Sequence, residues 1–409
     1  MNAVSVPGTP LFAAPHRTLF FTGLLALLLA TAGWALHVVA RYTGTPMLAL
    51  VLQPAPIWTH AFLMLFAVFP AIFFGFLFTV FPRWMNGPPI TRPEYVATAA
   101  GFAVGNVLWL AGSVLGAPWL LAGGVAAWLG LLVAIVALFR VLLGAPQTVS
   151  HAVVVLIALC VQAVAHAGFL YGVHASNDFV LHFAVRTSLW GGLLPVFFAV
   201  CHRMIPFFSQ NVVPGYVAWR PLWVLVGVVG LAWLRLVVGT AGALWALPVV
   251  DLALFALTAL CAARWTSLRA RGNPLLWSLY AGFVWLPFAV LLQTVRDASF
   301  LATGAWALGR APVHALGMGF FGAMLVAMVT RVTMGHSGRP LRMEALVLGC
   351  FLVLQAGAAS RVLSEVVAAP TAVQWLLLGS AALWLGALVV WFGRVGGIYL
   401  APRIDGKPG

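Results

Sequence analysis

Apolar runs of about 20 residues, the length that crosses a bilayer as a helix, recur twelve times along this chain. The pattern predicts spans over 18–40, 58–82, 95–115, 118–140, 148–171, 179–202, 221–240, 244–264, 275–296, 311–331, 342–364 and 372–393. Short stretches such as "PPITRP", "LGAP", "QNVVPGY", "RGNP" and "HSGRP" separate them, with Pro or Gly to stop each helix. None could link soluble domains. The expected organisation is a segment 1–17, one membrane domain 18–393, and a tail 394–409.

Helices 2, 6 and 10 share a second pattern. Helix 2 reads "HAFLMLFAVFPAIFFGFLFTVFPR", from His60 to Arg83; helix 6 runs from His182 to Arg203, and helix 10 from His314 to Arg331. Each begins near a histidine and closes on an arginine, and the three are spaced four helices apart. Four residues after each histidine, on the same face, stand Met64, Arg186 and Met318. This predicts three four-helix units around a pseudo-threefold axis.

Composition supports a membrane protein. The chain is 63% hydrophobic and 7% charged, far outside the soluble range. Its four cysteines stand singly in apolar runs with no CxxC pair, so they read as buried small hydrophobes. The first apolar run lacks a cleavage site and reads as a retained helix. The net charge of +14 is spread over the connections rather than gathered in a patch, which excludes a nucleic-acid partner. With the N-terminus inside, 15 basic residues fall on the inner side and 4 on the outer, Arg186 and Arg235 lying within spans. The positive-inside rule then places both termini in the cytoplasm and the chain in a cytoplasmic (inner) membrane.

Imidazole within a span needs a partner. Of ten histidines, His37, His60, His166, His174, His182 and His314 gather toward one face. Such residues can meet headgroups and water, or ligate a metal. Phe62, Phe66, Phe69, Phe73 and Gly75 in helix 2, with Gly317, Gly319 and Gly322 in helix 10, could line a slot for a flat macrocycle, or serve helix packing. Chemistry alone thus allows a haem between His60 and His314. His166 and His182, with His174 in the loop between, offer a nitrogen-rich second position that suits copper. Arg186 could pair with Asp178 or Asp297, or hold a haem propionate; Arg235 and Asp251 are expected to pair. Toward the other face, His202, Arg203, Arg331, His336 and Arg339 could bind an anion or simply end helices.

At these residues the chain resembles the NnrS family of bacterial inner-membrane proteins. "HAFLMLFAVFPAIFFGFLFTVFPRWMNGPP", "RMIPFFSQN" and "HALGMGFFGAMLVAMVTRVTMGHSGRPL" carry the resemblance, most specifically "TRVTMGHSGRPL". It implies a protein with b-type haem and copper, linked to nitric oxide metabolism, nitrosative stress and denitrification. The family's helix-2 motif usually reads His-Ala-His-Glu-Met; His60, Ala61 and Met64 match, while Phe62 and Leu63 depart from it. Many members have Gly-Arg at His202-Arg203. His166, His314 and His336 agree with family motifs. The architecture is also similar to the twelve-helix catalytic subunit of haem-copper oxidases, although helix 7 here contains no histidine for a binuclear centre.

The functional expectation is therefore a haem-binding membrane protein, with room for copper, that meets nitric oxide or another small apolar ligand arriving through lipid. An electron donor, quinol or cytochrome, would be a partner. Redox turnover, sensing and scavenging fit the residues equally, since no path rich in Asp, Glu or Lys is evident. The alternative is a twelve-helix secondary transporter without a redox cofactor. Carriers of that size usually repeat as two halves of six, unlike the fourfold helix spacing here.

Overall fold

The computed structural model describes residues 9–44 and 54–406. Lys407 and the first eight residues of the amino-terminal segment lie outside the described residues. Among the described residues twelve helices are long and apolar enough to cross a membrane: α1 Pro15–Thr43, α2 Pro56–Met85, α3 Arg92–Leu115, α4 Ala117–Leu143, α5 Ser150–His174, α6 Asp178–Val212, α7 Leu222–Thr240, α8 Leu244–Trp265, α9 Pro274–Thr303, α10 Ala311–His336, α11 Ala345–Leu363 and α12 Pro370–Leu400. The protein is an all-α polytopic membrane protein, as the apolar pattern predicts.

Sequence signals explain the helix ends. Proline occupies the first turn of α1, α2, α3, α4, α9, α10 and α12, where a missing N–H costs nothing. Thr91 and Glu94 close a capping box on α3, and the Asn177 and Asn273 side chains accept from Val180 N and Leu276 N. The α1 and α9 helices stop at Gly44 and Gly304, both in the left-handed region.

Burial separates the helices into two shells. The most apolar windows of α2, α6 and α10 are 89%, 72% and 78% buried, against 28–61% for the other nine helices. The three helices singled out by their histidines are thus the inner ones. Around them the first helix of each unit packs on its inner helix (α1 on α2, α5 on α6, α9 on α10), and the units meet through α4 with α5, α8 with α9 and α12 with α1. The last contact closes the ring. Arg17 near the start of α1 donates to the carbonyls of Ala401 (2.8 Å) and Tyr399 (3.3 Å), and the Tyr399 hydroxyl meets Thr333 of α10 at 2.6 Å.

Each inner helix widens into one π-helical segment: Leu63–Val68 in α2, Thr187–Leu193 in α6 and Ala315–Gly322 in α10. All three lie just past the histidine of their helix. In α2 and α6 a proline follows, Pro70 and Pro195, whose absent N–H breaks the regular ladder; α10 has no proline there but carries Gly317, Gly319 and Gly322 within its π segment. Loosened carbonyls in an apolar interior need other donors. Gln162 of α5 donates to Leu65 O (2.8 Å), and the Trp233 indole of α7 donates to Gly191 O (3.1 Å).

The α3–α4 pair shows how small residues set the outer shell. A Cβ added to Gly101 would stand 2.6 Å from the Gly130 Cα, so the two backbones touch where no side chain fits. Of the cysteines, Cys201, Cys261 and Cys350 are buried as expected, but Cys160 faces outward from α5. Its helix is apolar on its outer side too, so periodicity could not distinguish the faces.

Candidate functional site

The histidines of α2 and α10 stand at one end of the inner shell. His60 is half-buried and stacks on Trp34 of α1, with ring centroids 4.3 Å apart and planes 27° from parallel. Trp34 also meets His37 at 5.3 Å. Among the described residues the His60 Nδ1 atom is buried without a hydrogen-bond partner. The His314 Nδ1 lies 3.0 Å from the Arg310 carbonyl. A carbonyl only accepts, so Nδ1 carries the proton and Nε2 is left as a free base. His182 is held the same way, Nδ1 donating to Asp178 O at 2.8 Å. A second nitrogen tied to a carbonyl is the usual arrangement for a metal-ligating histidine.

His60 and His314 share electrostatic surroundings: Arg310 and Arg361 act on both rings, and His60 acts on His314. Arg361 is anchored by Glu365 at 2.6 Å and Ser364 at 2.9 Å. Met64 and Met318 are half-buried and pack against the edge of the core. Beside Met318, Gly317 opens onto space, since a Cβ there would meet nothing within 4 Å among the described residues. Two half-buried imidazoles, two thioethers, a gap beside glycine and two guanidiniums therefore collect at this end.

The second set of predicted donors is not brought together. His166 is fully buried, its ring 5.1 Å from Phe66 and 5.5 Å from Phe62. Neither ring nitrogen makes a hydrogen bond of good geometry among the described residues, although the Gly124 backbone approaches. The His182 ring lies edge-on to Trp58 at 4.8 Å, and His174 is exposed at the end of α5. No group of three or more His, Cys, Asp or Glu residues converges as a metal site among the described residues. Arg186 is exposed on α6, and Asp297, one of its candidate partners, is engaged elsewhere.

Asp297 completes a buried cluster. Arg235 binds Asp251 (Nε–Oδ1, 2.7 Å) as expected, and its other arm binds Asp297 (Nη2–Oδ2, 2.7 Å). The guanidinium sits 4.3 Å from the Trp190 ring centroid, and Gln293 donates to Asp297 at 2.9 Å. One cation thus ties α7, α8 and α9 to the π segment of α6. Nothing in the spacing of Arg235 and Asp297 signalled this contact.

At the opposite end the five predicted residues divide. His202 receives a hydrogen bond from His151 (2.9 Å) and donates through Nε2 to Pro221 O (3.2 Å), while Arg203 lies over Trp84 at 5.2 Å. Arg331 is buried over Phe208, 3.9 Å from the ring centroid. His336 meets His16 of α1 with ring centroids 4.8 Å apart. Arg339 has a buried Nη1 without a partner among the described residues. His16 and His151 were not singled out in sequence, yet both are the second residue of the first helix of a unit, a correspondence that the fourfold helix spacing could have revealed.

A family model described as NnrS protein matches residues 10–403. The chain belongs to the NnrS family. No match to a curated protein was found. In this NnrS chain the two departures from the helix-2 motif are packing positions: Phe62 stacks on Trp109 with centroids 3.5 Å apart, and Leu63 is buried. The space a second histidine and a glutamate would take is filled by core contacts.

Proposed function

We propose that this protein binds a b-type haem between His60 of α2 and His314 of α10, and that the haem meets nitric oxide or a similar small apolar ligand. The observation that supports this reading most is the pair itself. Both imidazoles stand on inner helices at one end of the bundle, one with an Nδ1 unpartnered among the described residues and the other with Nδ1 tied to a carbonyl and Nε2 left as a base. The residues fit the group: two imidazole nitrogens would serve as donors to haem iron, Gly317 leaves room beside Met318, and Arg310 and Arg361 would supply the charge that propionates require. Bound there, haem would supply an iron that carries an electron or, with one ligand displaced, takes up a diatomic.

The chain's own residues do the rest. Trp34 fixes the plane of His60, the Arg310 carbonyl fixes the tautomer of His314, and the apolar side chains of α2 and α10 exclude water. The distribution of basic residues, 15 to 4, supports both termini in the cytoplasm, and a haem held by His60 and His314 would then lie near the outer surface of an inner membrane. The donors around His166 and His182 do not fit a copper site as they stand, and no step is assigned to one. The carrier alternative loses support from the three-unit ring, which has no two six-helix halves.

The test is the visible spectrum of detergent-purified protein with quantified haem. A Soret band lost in His60→Ala and in His314→Ala is the expected result. Colourless wild-type protein after expression with ample haem would overturn the reading.

A further inference from the structure

Beyond the three π segments, on the side away from His60, the inner helices part around a cavity of about 50 Å³. Each contributes wall: Phe73 and Phe76 from α2, Phe197 and Cys201 from α6, Met324 and Met328 from α10. None of these side chains is more than 9% exposed, although the half-buried Val200 also lines the space, as does the buried Phe20 of α1, so it is a largely buried, partly open recess where the three inner helices face one another. On the His60 side of these lining residues, one phenylalanine from each inner helix meets the other two. The ring centroids of Phe69 and Phe197 are 6.2 Å apart, of Phe69 and Phe321 5.7 Å, and of Phe197 and Phe321 4.5 Å.

Size would admit water, but chemistry does not. A buried water needs roughly two to four polar partners. Among the described residues the wall's side-chain heteroatoms are the Cys201 thiol and the Met324 and Met328 thioethers, all weak hydrogen bonders, and the backbone groups of the lining residues belong to helices. Apolar cavities of this kind stay dry; one of about 150 Å³ takes benzene or xenon. A space one-third of that excludes benzene and leaves room for a single xenon atom or a diatomic molecule. The lining is soft: two methionines and four phenylalanines, Phe20 of α1 among them, present polarisable surface, which favours an apolar guest through dispersion.

We propose that this cavity is a holding site for one small apolar gas molecule, a diatomic such as nitric oxide or dioxygen. The Phe69–Phe197–Phe321 triad is the partition between it and the histidine end. The identity of the gas rests on the preceding functional reading; the binding does not. A molecule dissolved in the bilayer is thereby concentrated on the axis of the bundle, with the aromatic triad and the π segments of α2 and α10 between it and His60 and His314.

Xenon tests the site without any haem. The probe is xenon gas applied to crystals of the full-length protein, with xenon NMR on the detergent-solubilised protein as a second measurement. The expected result is one xenon between Phe73, Phe197 and Met324, lost in Met324→Trp and retained in Cys160→Ser, whose side chain faces outward. If Met324→Trp fails to fold, Val329→Phe fills the same wall. Ordered water in the cavity, no xenon there, or xenon unaffected by filling would overturn the proposal. Purified protein without haem would overturn the functional reading and leave the xenon result standing, so the two failures are distinguishable.

Discussion

Trp34 of α1 lies face-on to His60 of α2, 4.3 Å between ring centroids, and so holds from the outer shell the side chain on which the candidate site depends. Aromatic stacking of this kind contributes about 0.5–1.5 kcal/mol beyond area burial. Trp34→Ala is therefore expected to weaken haem retention about 2–12-fold by that figure, while Trp34→Phe keeps most of it. Titration of stripped protein with haem, followed at the Soret band, measures the difference. Equal affinity in all three proteins would show that the stack positions nothing.

His166 gives a prediction of the opposite sign. Among the described residues its buried nitrogens, packed against Phe62 and Phe66, go without good hydrogen bonds, and an unsatisfied buried polar group costs about 1–3 kcal/mol. If the ring is a packing element, His166→Phe raises the detergent melting temperature and leaves metal content unchanged. A fall in bound copper or iron on the same substitution would instead make His166 a ligand.

The Arg235 cluster is expected to be unforgiving. Removing the shared cation strands two buried carboxylates, and breaking a buried pair in this way costs about 3–5 kcal/mol. Arg235→Leu should lose most folded yield, Asp251→Asn considerably less. Differential scanning fluorimetry of the two variants orders them, and equal melting temperatures would contradict the shared-cation geometry.

Glu344, between α10 and α11, carries a pH signature. Its hydrogen bond with Arg394 (2.7 Å) holds the carboxyl below the usual carboxylate range. A lowered folded-state pKa gives stability that is present above the unfolded carboxylate pKa and lost as pH falls through the folded one. Glu344→Gln should thus be slightly less stable than wild type at neutral pH, with the gap closing in acid. The effect is small because both groups face solvent. A gap that widens on acidification would reverse the assignment.

Backbone contact between α3 and α4 predicts a strong positional contrast. At Gly101 a larger residue must push the Gly130 backbone away, whereas at Gly33 nothing lies within 4 Å among the described residues. Gly101→Val is expected to lose about 1–3 kcal/mol or more by overpacking, and Gly33→Val to be close to neutral. Yield and melting temperature after purification compare the two.

Much of this was legible in the sequence because a membrane simplifies the code. Twelve apolar runs gave twelve helices, and the shared beginnings of α2, α6 and α10 marked one helix of each four-helix unit, which packing then shows to be the inner one. The pairing of Arg235 with Asp251 followed from two charges at comparable depth. What escaped was lateral neighbourhood, since apolar residues on all faces of a span hide which side meets which helix. Hence Asp297 joined Arg235 unannounced, Cys160 turned outward, and His166 and His182 lay at one end without meeting. The π segments escaped for a related reason: a widened turn depends on where donors such as Gln162 and Trp233 arrive from other helices.

The clasp of Arg17 on Ala401 makes the bundle a closed circuit of three equivalent arcs. In such a circuit the place where translation starts is a matter of wiring rather than of architecture. A chain reordered to begin in the connection between α4 and α5, with its former ends bridged by a short flexible linker, should reach the same bundle. The arcs would then assemble in a new temporal order around an unchanged centre.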